Sequence, residues 1–287
     1  MSVFYYLIGG GGFILGQIPL FILYPLSDFL AWFASDVIRY RYNVVQENLK
    51  LSFPEMSEQD RKNLSRKFYV NFTDVLVESF KMLSRNPKLI PSRVKILNPE
   101  LLTQYHQAGR TIVAVSSHYG NWEWMGVGLP KLTGIRCLLT YKPLSSSLME
   151  RLMKDVRQLH GGELVSMQQT FRAVSSSKTP VLSLLISDQA PHPENTYWTN
   201  FLHQDTPVFM GAERIAKATN SVVVFIAMRK VKRGFYTLEF QELTKEPKLE
   251  TEFAITEMHV RALEKLIFED PSNWLWTHIR WKHKRNL

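Results

Sequence analysis

The run Thr111 to Val115 reads Thr-Ile-Val-Ala-Val, and two serines later comes His118-Tyr119-Gly120-Asn121-Trp122-Glu123. No other stretch constrains the fold as tightly. A short β-branched, apolar run bounded by polar residues reads as a strand. Gly120 tolerates positive φ and Asn121 can close an Asx turn. The mostly apolar stretch from Trp122 to Val127 then opens a helix. A strand, a tight turn and a helix in that order place His118 at the carboxyl end of a strand, where open α/β sheets usually bind their ligands. His118 and Glu123 are five apart, too far for one face of a helical turn, so the bend is what would bring them together.

Chemistry narrows what this pair can do. A neutral imidazole with a pKa near 6.5 can take a proton from a hydroxyl at neutral pH, and a carboxylate on the other ring nitrogen fixes the tautomer. Glu123 is expected in that orienting role. No protein nucleophile is evident beside the pair, so the substrate's own hydroxyl or amine is the natural nucleophile and direct acyl or similar group transfer the reaction class. The same spacing also arises by chance among eight histidines and 26 acidic residues, so the pair needs support from the rest of the chain.

Further strands are expected at Arg136 to Tyr141, Pro180 to Ile186, Ser221 to Met228 and Phe235 to Phe240. Helical patterns run from Val44 to Leu51, from Ser57 onward with Glu58 and Asp60 in the first turn, from Leu148 to Leu159 and from Ala212 to Thr219. Alternation of this kind predicts a single α/β domain with a mixed, largely parallel sheet flanked by helices. Strand ends carry Tyr141-Lys142-Pro143, Asp188-Gln189 and Arg229-Lys230, and their convergence on His118 would build one pocket.

The amino terminus differs from the rest. Val3 to Ser27 contains no charged residue and exceeds the roughly 20 residues that cross a bilayer as helix. Gly9 to Gly12, Pro19 and Pro25 would weaken or kink it, so a spanning helix, a half-inserted anchor and a buried helical hairpin all stay open. Residues 1–35 are expected as a hydrophobic membrane anchor and 36–287 as the catalytic domain. Arg39 and Arg41 would hold that domain on the cytoplasmic side. The net charge is +9, with basic clusters at Arg229, Lys230, Lys232 and Arg233 and at Arg280, Lys282, Lys284 and Arg285. Such clusters suit a solvated face or, beside an anchor, anionic headgroups. No nucleic-acid-binding motif accompanies them. The single cysteine, Cys137, excludes an internal disulfide framework and a multi-cysteine metal site.

Taken in order, these blocks resemble the lipid A late acyltransferases, bacterial membrane enzymes that add secondary acyl chains to lipid A precursors from acyl carrier protein. The resemblance rests on Asn48-Leu49 with Ser52-Phe53-Pro54-Glu55, on the His118 to Glu123 block, on Tyr141-Lys142-Pro143-Leu144 followed by Arg157, on Asp188-Gln189, and on Pro271, Trp276, His278, Arg280, Trp281 and Lys282. It implies a fold shared with glycerolipid acyltransferases, an inner-membrane location, O-acyl transfer without a cofactor, and His118 with Glu123 as the catalytic pair. It further implies substrate-binding roles for Asn121, Tyr141, Lys142, Arg157, Asp188, Gln189 and Arg280. Lys142 replaces the family's usual arginine, and His203 departs from its Phe-Phe-Gly. The sequence leaves open another acceptor for the same chemistry (a lysophospholipid, an amino-acid lipid or an aryl-polyene glycolipid), and also a non-catalytic protein that binds anionic lipid.

Overall fold

A strand buried on both faces must read as a continuous apolar run, because neither pleat meets water. The chain supplies such a run in β2 (Ile112–Ser116), all five residues of which are buried, and the sheet is built around it. A computed structural model describes residues 10–142, 151, 154–155, 157, 161–192, 194 and 196–285. Its seven-stranded sheet has the order β1-β9-β8-β2-β5-β3-β4. The strands are β1 (Val94–Ile96), β3 (Cys137–Tyr141), β4 (Glu163–Ser166), β5 (Leu182–Ile186), β8 (Val222–Lys232) and β9 (Phe235–Thr244) around β2. Only β8 and β9 pair antiparallel. A separate hairpin is made by β6 (Tyr197–Phe201) and β7 (Gln204–Val208).

All five expected strands form, with three ends unmoved and the others shifted by one to four residues. β1, β4, β6 and β7 were not expected. All four are edge or hairpin strands of three to five residues, half-exposed in β4 and β6, and so lack the apolar signal of a buried strand. The departure at His203 falls in the β6–β7 turn, where Leu202 and His203 both adopt positive φ. That backbone favours the glycine of the family pattern.

Helices cover the sheet. They are α1 (Leu20–Trp32), α2 (Tyr42–Ser52), α3 (Glu58–Lys81), α4 (Glu100–Gln107), α5 (Trp122–Thr133), α6 (Thr170–Ser175), α7 (Gly211–Thr219) and α8 (Ala254–Glu269). Ser57 caps α3 by accepting the Asp60 amide, with Glu58 and Asp60 in its first turn, as expected from the helix dipole. The expected helix from Leu148 to Leu159 lies largely outside the described residues, although positions 151, 154, 155 and 157 are helical. Pro143, Leu144 and residues 1–9 of the apolar amino terminus lie outside them too.

The described part of that terminus packs on the domain. Leu20, Leu23, Ser27 and Ala31 form one buried stripe of α1, while Phe21, Ile22, Leu26, Phe29 and Trp32 on its other sides stay exposed. The stretch Leu20–Val37 is long and apolar enough to cross a membrane, and only 28% of it is buried. Polar bonds fasten the buried stripe. Ser27 Oγ donates to Asp74 Oδ1 at 2.8 Å, and Tyr24 Oη donates to Glu78. Arg233, in the β8–β9 turn, bridges Asp28 and Asp74 at 2.7 and 2.6 Å. At the next residue, Gly234, a Cβ would lie 2.1 Å from Tyr24 Oη, so only glycine allows the hairpin this close to α1.

Three of the four residues of the first basic cluster are therefore taken up in ion pairs, while Lys232 stays exposed over the Phe235 ring. Lys230 and Arg233 pair with the fully buried Asp74, and Arg229 pairs with Glu239 and Glu269. A buried carboxylate without a partner is costly to desolvate, and Asp74 draws these cations inward. Replacing Arg233 by Met should destabilise the fold by about 1.5–3 kcal/mol, the range for a hydrogen bond to a charged group. The expected reading is a lower denaturant midpoint with an unchanged slope.

Candidate active site

Register brings the site together. β2 and β5 run parallel with Ser116 opposite Ile186, and His118 and Asp188 each lie two residues beyond that pair. Ser187 N–H donates to Ser116 O at 3.0 Å and extends the ladder by one step. Beyond it, Asp188 accepts three hydrogen bonds. The His118 backbone N–H donates to Oδ2 at 2.9 Å, the His118 Nδ1 faces Oδ1 at 2.7 Å, and Trp274 Nε1 donates to Oδ2 at 2.8 Å.

The carboxylate hydrogen-bonded to the imidazole is thus Asp188 rather than Glu123. Glu123 instead receives Arg157 Nη2, at 3.2 and 3.3 Å from its two oxygens. The reason is local. Glu123 belongs to the first turn of α5, on the cavity side of the bend, whereas Asp188 comes up from the neighbouring strand directly beneath the ring. Trp122 packs edge-on against the imidazole at 5.4 Å.

Burial alone would depress the His118 pKa. The Asp188 charge and hydrogen bond, with the Glu123 charge behind them, overcome this and raise it above its ordinary 6.5. Burial would likewise raise Asp188, but the imidazole charge and the bonds from His118 and Trp274 hold it below the usual carboxylate range. Asp188 stays ionised and accepts, so Nδ1 carries the proton and Nε2 is left as the free basic nitrogen.

The turn itself is clamped from the carboxyl-terminal segment. Leu275 N–H donates to His118 O at 3.1 Å and Gly120 N–H donates to Asn273 O at 3.0 Å. Gly120 has φ +61°, and a Cβ there would stand 3.1 Å from Met228 O. His278 accepts the Ala190 N–H at Nε2, 3.2 Å away, and burial pushes its pKa down to about 4, so it remains a neutral acceptor that steadies the loop after β5.

Beside His118 opens a cavity of about 770 Å³, within the range of small-molecule sites. Its lining is mostly apolar, with Val127, Leu139, Leu164, Leu184, Ile186 and Ile215, and its charged members are Glu123, Lys142, Arg157 and Arg214. Of the residues singled out in the sequence, His118, Glu123, Tyr141, Lys142, Arg157 and Gln189 line it. Gln189 Nε2 stands 3.4 Å from His118 Nε2.

Three of them do not. Asn121 is fully buried and caps α5 through the Trp124 N–H at 2.9 Å. Asp188 sits behind the imidazole. Arg280 is 2% exposed, and its Nη2 donates to Pro207 O of β7 at 2.6 Å. The expected strand-end pair Arg229-Lys230 is likewise taken up in ion pairs. Trp274 and Arg214 are the residues that sequence reasoning missed. Trp274 stands in the same closing block as Trp276, but nothing in its spacing shows which indole reaches Asp188.

Residues 2–283 match the family described as bacterial lipid A biosynthesis acyltransferase. The lipid A biosynthesis lauroyltransferase of Escherichia coli strain K12 is 22% identical over 272 residues, 93% of this chain and 87% of that protein. The lipid A biosynthesis acyltransferase of Haemophilus influenzae Rd is 22% identical over 197 residues, 68% of this chain and 61% of its own length. With a match along nearly its whole length and a histidine poised over an apolar cavity, the chain belongs to the bacterial lipid A biosynthesis acyltransferase family, enzymes that transfer acyl groups.

Proposed function

We propose that this protein moves a fatty acyl chain from the thioester of acyl carrier protein to a hydroxyl of a lipid A precursor, with His118 as general base. One observation carries the reading: Nδ1 of His118 is held by a buried carboxylate, and His118 lines a large, mostly apolar cavity that Lys142, Arg157 and Arg214 also line. The acyl chain fits the apolar wall. Lys142, Arg157 and Arg214 suit the phosphates of an anionic acceptor or the acidic carrier, arginine with its bidentate geometry in particular.

In this mechanism the acceptor hydroxyl takes the place of Gln189 beside Nε2 and gives up its proton there. The hydroxyl oxygen attacks the thioester carbonyl carbon, and the C–S bond then breaks. The departing thiolate takes the proton from the imidazolium. Asp188 fixes the tautomer and stabilises the charged ring, as a buried carboxylate does in hydrolase triads. Glu123 raises the basicity of the ring through its charge and orients Arg157 towards the oxyanion, a donor placed where negative charge develops.

The exposed apolar side of α1 supports attachment to the inner membrane, with the catalytic domain on the cytoplasmic face. Because the opposite stripe is bonded into α3, a helix lying in one leaflet suits this packing better than one that crosses. An interfacial helix of this kind is held by its buried apolar area.

His118→Ala should lower acyl transfer in membranes by about 10²–10⁴-fold, the usual contribution of a general base; an unchanged rate would overturn the assignment. The neutral imidazole is the active form, so kcat/KM should rise with pH through a limb above 6.5. Asp188→Asn removes the charge that raises this pKa and should move the limb to lower pH while reducing the rate. Mass spectrometry of lipids from cells lacking the protein should show an altered lipid A acylation pattern, and unaltered lipid A would exclude this acceptor. Changing Phe21, Phe29 and Trp32 together to Ser should release the protein from phospholipid vesicles without loss of fold.

A further inference from the structure

The mechanism makes no use of Glu78, a carboxylate in the last third of α3 that is fully buried. Its Oε2 accepts from Asn121 Nδ2 and from Tyr236 Oη, each at 2.7 Å, and its Oε1 accepts from Tyr24 Oη at 3.0 Å. Its backbone oxygen accepts the Trp124 indole N–H at 3.0 Å. Three structural elements, α1, β9 and the start of α5, therefore meet on one side chain.

Asn121 is the informative partner. Its Oδ1 accepts the Trp124 amide and caps α5, so its Nδ2 must face the other way and needs an acceptor in a place without water. Glu78 is that acceptor. Without it, the amide would be left with an unpaired buried N–H, which costs more than a lost hydrogen bond, or would turn and give up the cap. The cap lies between His118 and Glu123, so its failure would alter the bend that sets both.

We infer that Glu78 is a positioning residue for the proposed reaction: by holding the Asn121 amide in its capping orientation it fixes the turn that carries His118 and Glu123. Tyr24 brings α1 into the same network, so the helix with the exposed apolar face is bonded, through one carboxylate, to the catalytic turn. Glu78 touches neither reacting atom nor cavity, and the inference rests on the site reading above.

Acceptor geometry, and not charge, is what the cap requires. In Glu78→Gln the amide oxygen can keep Asn121 and Tyr236, and its NH₂ can donate to the Tyr24 hydroxyl, which accepts as well as donates. Glu78→Met can do neither. The two variants are to be compared in full-length protein in membranes or detergent, with kcat and KM for acyl transfer and hydrogen exchange of the Trp124 and Ala114 amides. Glu78→Met should lower kcat about tenfold, equivalent to a barrier increase of about 1.4 kcal/mol, with KM little changed. Exchange at Trp124 should quicken while Ala114 in β2 stays protected, and Glu78→Gln should restore both readings. A wild-type kcat in Glu78→Met would overturn the inference, as would equal loosening of Ala114 or a Gln variant as impaired as the Met one. Failure of the base assignment is separate: it shows as an active His118→Ala, whatever the Glu78 variants do.

Discussion

The side chain on which this site depends is the Asp188 carboxylate. It accepts from the backbone and ring of His118 and from the Trp274 indole, which joins the ends of β2 and β5 to the carboxyl-terminal segment at one point. A buried anion is stable only when its acceptor capacity is filled. Here the groups that fill it are the His118 ring and backbone and a residue of the segment that clamps the turn after β2. The need to satisfy one buried charge thus sets the ring tautomer, the ring position and the docking of the last residues of the chain.

This constraint explains which parts of the site were legible in the sequence. Thr111 to Val115 announced a strand through its β-branched, mostly apolar run, and Gly120-Asn121 announced the bend; both formed, with φ +61° at Gly120 and Asn121 Oδ1 accepting the Trp124 N–H as a cap. The partner of the imidazole was not legible. Proximity in sequence favoured Glu123, but parallel register puts residues at equal offsets beyond adjacent strands side by side, and Asp188 stands at the same offset beyond β5 as His118 beyond β2. That information lies in strand order, with β5 inserted next to β2 although β3 and β4 come between them in the chain. A crossover of this kind leaves no periodicity to read.

Charge was the other place where composition and structure part. Arg229, Lys230 and Arg233 resemble a basic surface patch in the sequence, yet their partners Glu239, Glu269, Asp28 and Asp74 are scattered over more than two hundred residues. Asp74 decides the matter, because a fully buried carboxylate requires nearby cations. Arg280 is similar in that it is buried, with Nη2 donating to Pro207 O, and it does not line the cavity. The basic residues that do reach the cavity, Lys142, Arg157 and Arg214, come from three separated parts of the chain and form no run.

The His-x4-Glu spacing acquires a different meaning from this arrangement. If Glu123 oriented the imidazole directly, a bend closing the two side chains on each other would suffice, and the second carboxylate of Asp188 would be an unneeded buried charge. With Asp188 beneath the ring, Glu123 is free to face the cavity and take Arg157. Two carboxylates then stand near one turn with different partners, Asp188 on the imidazole and Glu123 on Arg157, and His118, Glu123 and Arg157 all line the same cavity. The spacing of five puts the bend between the two residues, so that Glu123 opens α5 and meets Arg157 while His118 stays at the end of β2 beside Asp188.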